Sequence, residues 1–241
     1  MKILSIGNSF SQDAHKWLHE IASNHGMELE TANLYIGGCS LQTHWENLVN
    51  DNAHYELEWN GGAAERLIRI SEAFTLRDWD IVTVQQVSNL SGMPDSYEPY
   101  LSQLADAVHQ ALPQAKLCFH QTWAYETDSS HGGFVSYNCD QRLMYRRILE
   151  TTRVAAESIH AAVIPAGTVI QHVREHIPAF AYGNGGLSLC RDGFHLSWDY
   201  GRYLAAAVWF RTLTGKPLTV TRFRDFDPAL LAQLHSAVND L

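Results

Sequence analysis

Two short stretches carry residue types that can do chemistry together. Near the N-terminus, Gly7-Asn8-Ser9-Phe10-Ser11 follows the strand-like Lys2-Ile3-Leu4-Ser5-Ile6 and runs into a segment of helical periodicity. A serine at such a junction sits where the first backbone N–H groups of a helix lack partners and where the helix dipole favours developing negative charge. Those conditions suit an oxygen nucleophile. They equally suit a plain helix cap by Ser9 or Ser11, the commoner use of serine at such a position. Near the other end, Asp192-Gly193-Phe194-His195 sets a carboxylate three residues before an imidazole, with a glycine between them to permit a tight bend. In a loop this spacing lets the carboxylate hold one ring nitrogen while the other faces outward. A base oriented in that way is what a serine hydroxyl needs to become nucleophilic at neutral pH. Read alone, the same four residues also fit a turn aspartate beside a surface histidine.

The elements that must position these residues alternate along the chain. Strand-like segments cover 2–6, about 30–36 (ending at Gly37-Gly38), 79–85, 115–120 and a short 162–165. Helical spacing of apolar residues marks 11–25 (Ala14, Trp17, Leu18, Ile21, Ala22), 98–112, 139–161, 198–214 and 228–239, the last opened by Asp227-Pro228. Strands alternating with helices imply a mainly parallel sheet between helical layers, with ligands bound beyond the carboxyl ends of the strands. Ser9, Gly38, Gln85 and Gln86 all fall at that edge. Residues 54–59 alternate polar and apolar and Asn60-Gly61 is a strong turn signal, so 54–70 reads as an inserted β-hairpin. It would serve as a lid, a dimer contact or a surface embellishment. No repeat, low-complexity segment or linker interrupts the pattern, and a single domain over 1–241 is expected.

Taken together, Gly7-Asn8-Ser9-Phe10-Ser11, the glycine block Leu34-Tyr35-Ile36-Gly37-Gly38-Cys39-Ser40-Leu41 and Asp192-x-x-His195 resemble the SGNH (GDSL-type) hydrolase superfamily. Val84-Gln85-Gln86-Val87-Ser88 and Gln121-Thr122-Trp123-Ala124-Tyr125 are similar to one branch of it, and the match runs in order along nearly the whole chain. The resemblance implies a three-layer α/β/α, flavodoxin-like fold with a five-stranded, mainly parallel sheet, and hydrolysis of esters through an acyl-enzyme. It implies Ser9 as nucleophile, His195 as general base and then acid, and Asp192 as the group that orients the imidazole. Gly38 matches the second block, whose backbone N–H donates to the oxyanion beside the N–H of Ser9.

Two departures from the family pattern stand out. Asn8 replaces the usual Asp before the serine, which changes a supporting hydrogen bond of the pocket rather than the chemistry. The third block usually reads Gly-x-Asn-Asp, and Gln85-Gln86-Val87-Ser88 stands in that region. A glutamine offers the same amide donors on a longer arm, which makes Gln86 the substitute oxyanion donor and Gln85 the reserve. Strand alternation sends the two in opposite directions, so only one is expected to face the site. Trp123 and Tyr125, beyond the fourth strand, are candidates for the wall of a substrate pocket by ring stacking, or alternatively core residues.

Composition bounds the partners. With 17 Lys and Arg against 26 Asp and Glu, the formal charge is −9, which argues against nucleic acid or an anionic membrane as the main partner. No apolar run approaches the roughly 20 residues of a membrane span, and no signal peptide is legible, so a cytoplasmic protein is the expectation. Four cysteines, none in a C-x-x-C pair, give no disulfide framework. His15 and His19 have the i,i+4 spacing of metal ligands, yet both read as a solvated surface pair, and the 13 histidines form no clustered ligand set. No cofactor or metal is implied. The expected partner is a small ester, such as an acetylated sugar, and a homo-oligomer stays open. A catalytically idle carbohydrate-binding protein on the same fold is the main alternative; a metal-dependent hydrolase is a further one.

Overall fold

The computed structural model describes residues 1–241. Seven strands, β1 (Lys2–Gly7), β2 (Glu30–Tyr35), β3 (Tyr55–Trp59), β4 (Ala64–Ile68), β5 (Ile81–Val84), β6 (Lys116–His120) and β7 (Ala162–Ile164), form one sheet in the order β4-β3-β2-β1-β5-β6-β7. The five strands expected from the sequence are the five that pair in parallel. The chain moves outward from β1 to β2 and later returns to the other flank of β1 as β5, so a crevice opens at the carboxyl end of β1.

The 54–70 hairpin is neither lid nor loose insertion: β3 pairs antiparallel with β2, β4 pairs with β3, and both extend the sheet to seven strands. Its turn holds Asn60 (φ 50°) and Gly61 (φ 67°) in the left-handed region that a tight hairpin requires.

Nine α-helices complete the fold: α1 (Ser9–His15), α2 (Leu18–Asn24), α3 (Leu41–Val49), α4 (Ile70–Phe74), α5 (Tyr100–Ala111), α6 (Gln141–Ser158), α7 (Ala166–His176), α8 (Tyr200–Thr214) and α9 (Pro228–Asn239). Side chains alternate across each strand, so the sheet feeds two cores. Leu4, Ile6, Val82, Val84 and Phe119 pack with α3, α4 and α5 on one face. Ile3, Ile81 and Cys118 pack with α1, α2, α7, α8 and α9 on the other. Helix α6 contributes to both, through Met144 and Ile148 on one side and Ala155 and Ala156 on the other. The result is the α/β/α sandwich expected.

One helix expected at 11–25 is two. The break at Lys16 and Trp17 lies where the hairpin turn packs in: a Cβ on Gly61 would stand 2.7 Å from the Lys16 Cα, and Lys16 Nζ donates to the Gly61 carbonyl at 2.9 Å. The break changes which face is buried. His15 is 1% exposed, edge-on to Trp209, whereas His19 alone of the supposed surface pair is exposed. Inside the sheet's helix-facing side, His15 Nε2 meets Ser5 Oγ at 2.8 Å, and Ser5 Oγ meets Thr83 Oγ1 at 2.7 Å. Burial lowers the His15 pKa to about 3. Helix α8 is buried all round from Gly201 to Phe210, which explains its lack of a polar stripe. All four cysteines are free thiols, and no helix is long and apolar enough to cross a membrane.

Candidate active site

Residue Asn8, not a serine, caps the first helix. Its Oδ1 accepts the N–H of Phe10 at 3.0 Å, while Ser11 Oγ accepts the N–H of Asn8 at 3.1 Å and so completes a capping box. The capping bonds are thereby made by Asn8 and Ser11, and Ser9 Oγ is left for a distant partner. It meets His195 Nε2 at 2.9 Å, and His195 Nδ1 meets Asp192 Oδ2 at 2.7 Å. The ring nitrogen facing the carboxylate carries the proton, so the nitrogen facing Ser9 is the acceptor.

The Asp192–His195 loop is a tight turn closed by the N–H of Arg191 on the His195 carbonyl, 2.9 Å. Asp192 Oδ1 accepts the N–H groups of His195 (2.8 Å) and Phe194 (3.2 Å). Burial pushes the Asp192 carboxyl upward, but these N–H bonds and the His195 ring outweigh it and hold the pKa below the ordinary carboxylate value. Gly193 is required twice over at the tip. Its φ is 86°, and a Cβ there would stand 2.9 Å from the Ser129 Cα.

A buried carboxylate that sequence reasoning passed over holds this loop to the helix that begins at Ser9. Asp13, fully buried, accepts from Arg202 Nε (2.7 Å), Arg191 Nη1 (3.0 Å) and the N–H of Leu196 (2.8 Å). Both guanidinium groups lie 4.2 Å from the Trp198 ring, a cation–π contact on each. The only signal available was the i,i+4 spacing of Ser9 and Asp13, which puts both on one side of a helix.

Ser9, His195 and Gly38 line one cavity of about 310 Å³, together with Tyr35, Phe194, His131 and Asn89. The N–H groups of Ser9 and Gly38 make no hydrogen bond within the chain. Asn8 also borders this cavity but is 1% exposed and acts as a brace. Its Nδ2 donates to the Cys39 carbonyl (3.0 Å), and its Oδ1 also accepts from Gln85 Nε2 (2.6 Å), so it ties together the loops after β1, β2 and β5. An aspartate could not donate to that carbonyl, which accounts for the amide.

The two glutamines do not reach the cavity. Gln86 Oε1 accepts the N–H groups of Leu41 (3.0 Å) and Val87 (2.9 Å), and its Nε2 donates to Ser96. Gln85 Nε2 is bound to Asn8. Neither glutamine lines the cavity, and the Nε2 of each is bound within the protein. From this loop Val87, Ser88 and Asn89 line the cavity, and of these Asn89 carries a carboxamide that makes no hydrogen bond to the protein. An asparagine in the loop beyond β5 was the legible sign of it.

Trp123 and Tyr125 likewise lie beneath the cavity rather than in its wall. Both are 0% exposed. Trp123 stacks on Phe10 with centroids 4.1 Å apart and donates through Nε1 to the Phe194 carbonyl at 2.7 Å. The Tyr125 hydroxyl meets Ser88 Oγ at 2.8 Å. They support Phe10, Phe194 and Ser88 around Ser9 instead of lining the cavity. No group of three or more His, Cys, Asp or Glu side chains forms a metal-binding cluster.

The family described as "Domain of unknown function (DUF4886)" matches residues 2–236. No curated protein matches the sequence. Among solved structures, a DUF4886 family protein from Bacteroides uniformis ATCC 8492 is similar at 35% identity and TM-score 0.91, over 100% of this chain and 93% of that one. A candidate SGNH hydrolase from Slackia heliotrinireducens is similar at 22% identity and TM-score 0.60, over 88% of this chain and 98% of that one. A variant of an acetyl-xylooligosaccharide esterase from Geobacillus Stearmophilus is similar at 13% identity and TM-score 0.57, over 92% of this chain and 97% of that one. The fold is that of the SGNH hydrolases, as the sequence motifs implied.

Proposed function

The chain belongs to the DUF4886 family, and from its site we propose that it is a serine ester hydrolase acting on small acyl esters, acetyl esters of sugars or related alcohols foremost. The observation that carries this reading is the hydrogen-bonded chain from Ser9 Oγ through His195 to Asp192, 2.9 Å and 2.7 Å. Ser9 Oγ attacks the ester carbonyl carbon as its proton passes to His195 Nε2, and the carbonyl π pair moves onto oxygen. The N–H groups of Ser9 and Gly38 and the Asn89 amide are the donors for that oxyanion. Collapse breaks the bond to the alcohol oxygen, which takes the proton from His195. Water then attacks the acyl-enzyme and gives a proton to His195, and collapse releases the acid as Ser9 Oγ takes that proton back from His195.

The modest cavity, about 310 Å³, supports a short acyl group. The similarity to an acetyl-xylooligosaccharide esterase supports acetylated carbohydrate as the class to try first. The idle carbohydrate-binding alternative rests on a missing third oxyanion donor, and Asn89, which lines the cavity, supports the hydrolase reading as the residue for that role. The test is turnover of p-nitrophenyl acetate by the wild type and by Ser9→Ala, with mass spectrometry after exposure to a serine-directed phosphonate. A single adduct on the wild type, and loss of both adduct and turnover in Ser9→Ala, is expected. Undiminished turnover in Ser9→Ala removes Ser9 as the nucleophile.

A further inference from the structure

The cavity holds a second histidine that the acyl-transfer steps do not use. His131 lines the same cavity as Ser9 and His195, and its protonation is decided by a backbone group. The N–H of Gly133 donates to His131 Nδ1 at 3.0 Å. A peptide N–H can only donate, so Nδ1 is bare and the neutral ring carries its hydrogen on Nε2. That Nε2–H has no acceptor within the chain. Burial lowers the pKa of His131, and nearby His195 lowers it further against the opposing pull of Asp192, so the neutral donor form persists.

Packing fixes the ring as firmly as the hydrogen bond does. Tyr125 and Phe194 each lie 4.7 Å from it, centroid to centroid, Phe194 meeting it edge-on. The turn that carries it is pressed against the oxyanion side of the cavity. A Cβ on Gly133 would stand 2.4 Å from the Asn89 Cβ, so only glycine permits this approach.

We propose that His131 is a specificity-determining residue. Its Nε2–H donates to an oxygen on the alcohol half of the substrate, selecting esters of polyhydroxylated alcohols over plain alkyl or aryl esters. The side of the substrate follows from the chemistry. The leaving oxygen must come within reach of His195 to be protonated, so the alcohol half lies toward His195, Phe194 and, beyond them, His131. An unpaired donor fixed in a partly desolvated wall discriminates strongly against a partner that leaves it unpaired. This inference rests on the ester-hydrolase reading and adds the substrate class to it.

The experiment compares wild type, His131→Phe and His131→Gln on xylose tetraacetate and on phenyl acetate, whose alcohol half offers no acceptor beside the ester. His131→Phe is expected to lose about 10-fold in kcat/KM on the sugar acetate and to stay within about 2-fold on phenyl acetate. His131→Gln, which keeps an N–H donor, is expected to recover most of that loss. Proton–nitrogen correlation spectra of the wild type, read without turnover, should show the Nε2–H tautomer at residue 131. Equal losses on both esters, no loss on the sugar acetate, or an Nδ1–H tautomer each overturn the assignment. A wild type inert toward both esters and toward the phosphonate overturns the ester-hydrolase reading itself, a result distinct from an active enzyme whose selectivity ignores residue 131.

Discussion

Asp13 Oδ2 accepts the backbone N–H of Leu196 at 2.8 Å, which fixes the residue after His195 to the helix that begins at Ser9. The same carboxylate holds Arg191, the residue before Asp192, at 3.0 Å. Replacing Asp13 with Asn leaves the buried Arg202 guanidinium and the half-buried Arg191 guanidinium without their anion, which costs about 3 kcal/mol of stability. It also loosens the spacing between nucleophile and base, for which a loss of about 10²-fold in kcat is expected with KM little changed. Thermal melts and steady-state kinetics on p-nitrophenyl acetate check both. A destabilised variant with wild-type kcat would separate the clamp from the chemistry.

Asn89 and Gln86 give opposite expectations. Asn89→Ala should lower kcat by about 10²–10³-fold at nearly constant melting temperature, because Asn89 lines the cavity and its carboxamide makes no hydrogen bond within the chain. Gln86→Ala should leave the chemical step intact and lower the melting temperature, since its carboxamide joins Leu41, Val87 and Ser96. The reverse pattern would return the oxyanion role to the glutamine.

Asp192→Asn keeps the size of the side chain but turns one oxygen into an amide donor that cannot accept the His195 Nδ1–H. The ring then favours the wrong tautomer, and kcat should fall by about 10⁴-fold. A fall of less than about tenfold would mean that the imidazole is oriented by other contacts, the Phe194 ring at 4.1 Å among them.

Three buried histidines set the acid limit of the fold. Burial lowers the pKa of His15, His44 and His120 to about 3, in His120 with the help of His15, from an ordinary value of 6.5. Between those values the unfolded chain binds more protons than the folded one, so stability rises with pH through the window and is lost as pH falls through it. At pH 5 each ring costs about 2 kcal/mol relative to neutral pH. Urea unfolding at pH 7, 6 and 5 should show midpoints falling steadily. A flat profile would mean that these rings are not neutral in the folded protein.

How much of this was legible in the sequence differs residue by residue. Ser9, Gly38 and the Asp192–His195 pair are legible only through the order of three blocks that resemble the SGNH superfamily, because each block alone equally fits a cap or a turn; the structure brings Ser9, His195 and Gly38 to one cavity. Asn89 escaped because β5 ends at Val84 and the loop beyond it is not periodic, so no pattern says which amide turns back to the cavity. Trp123 and Tyr125 lie at the correct edge of the sheet, but their depth below the cavity is set by Phe10 and Ser88, contacts between distant segments. His15 was misjudged for a related reason: a helix broken by the packing of a hairpin turn has a different buried face from an unbroken one.

Helix α1 carries Ser9 on its first turn and Asp13 one turn later, so attacking oxygen and anchoring carboxylate share one rigid body. A shift of that helix against the sheet moves the nucleophile and its base together, and their separation is insensitive to it to first order. Substitutions along this seven-residue helix and the loop it holds should therefore disturb the hydroxyl–imidazole distance most directly.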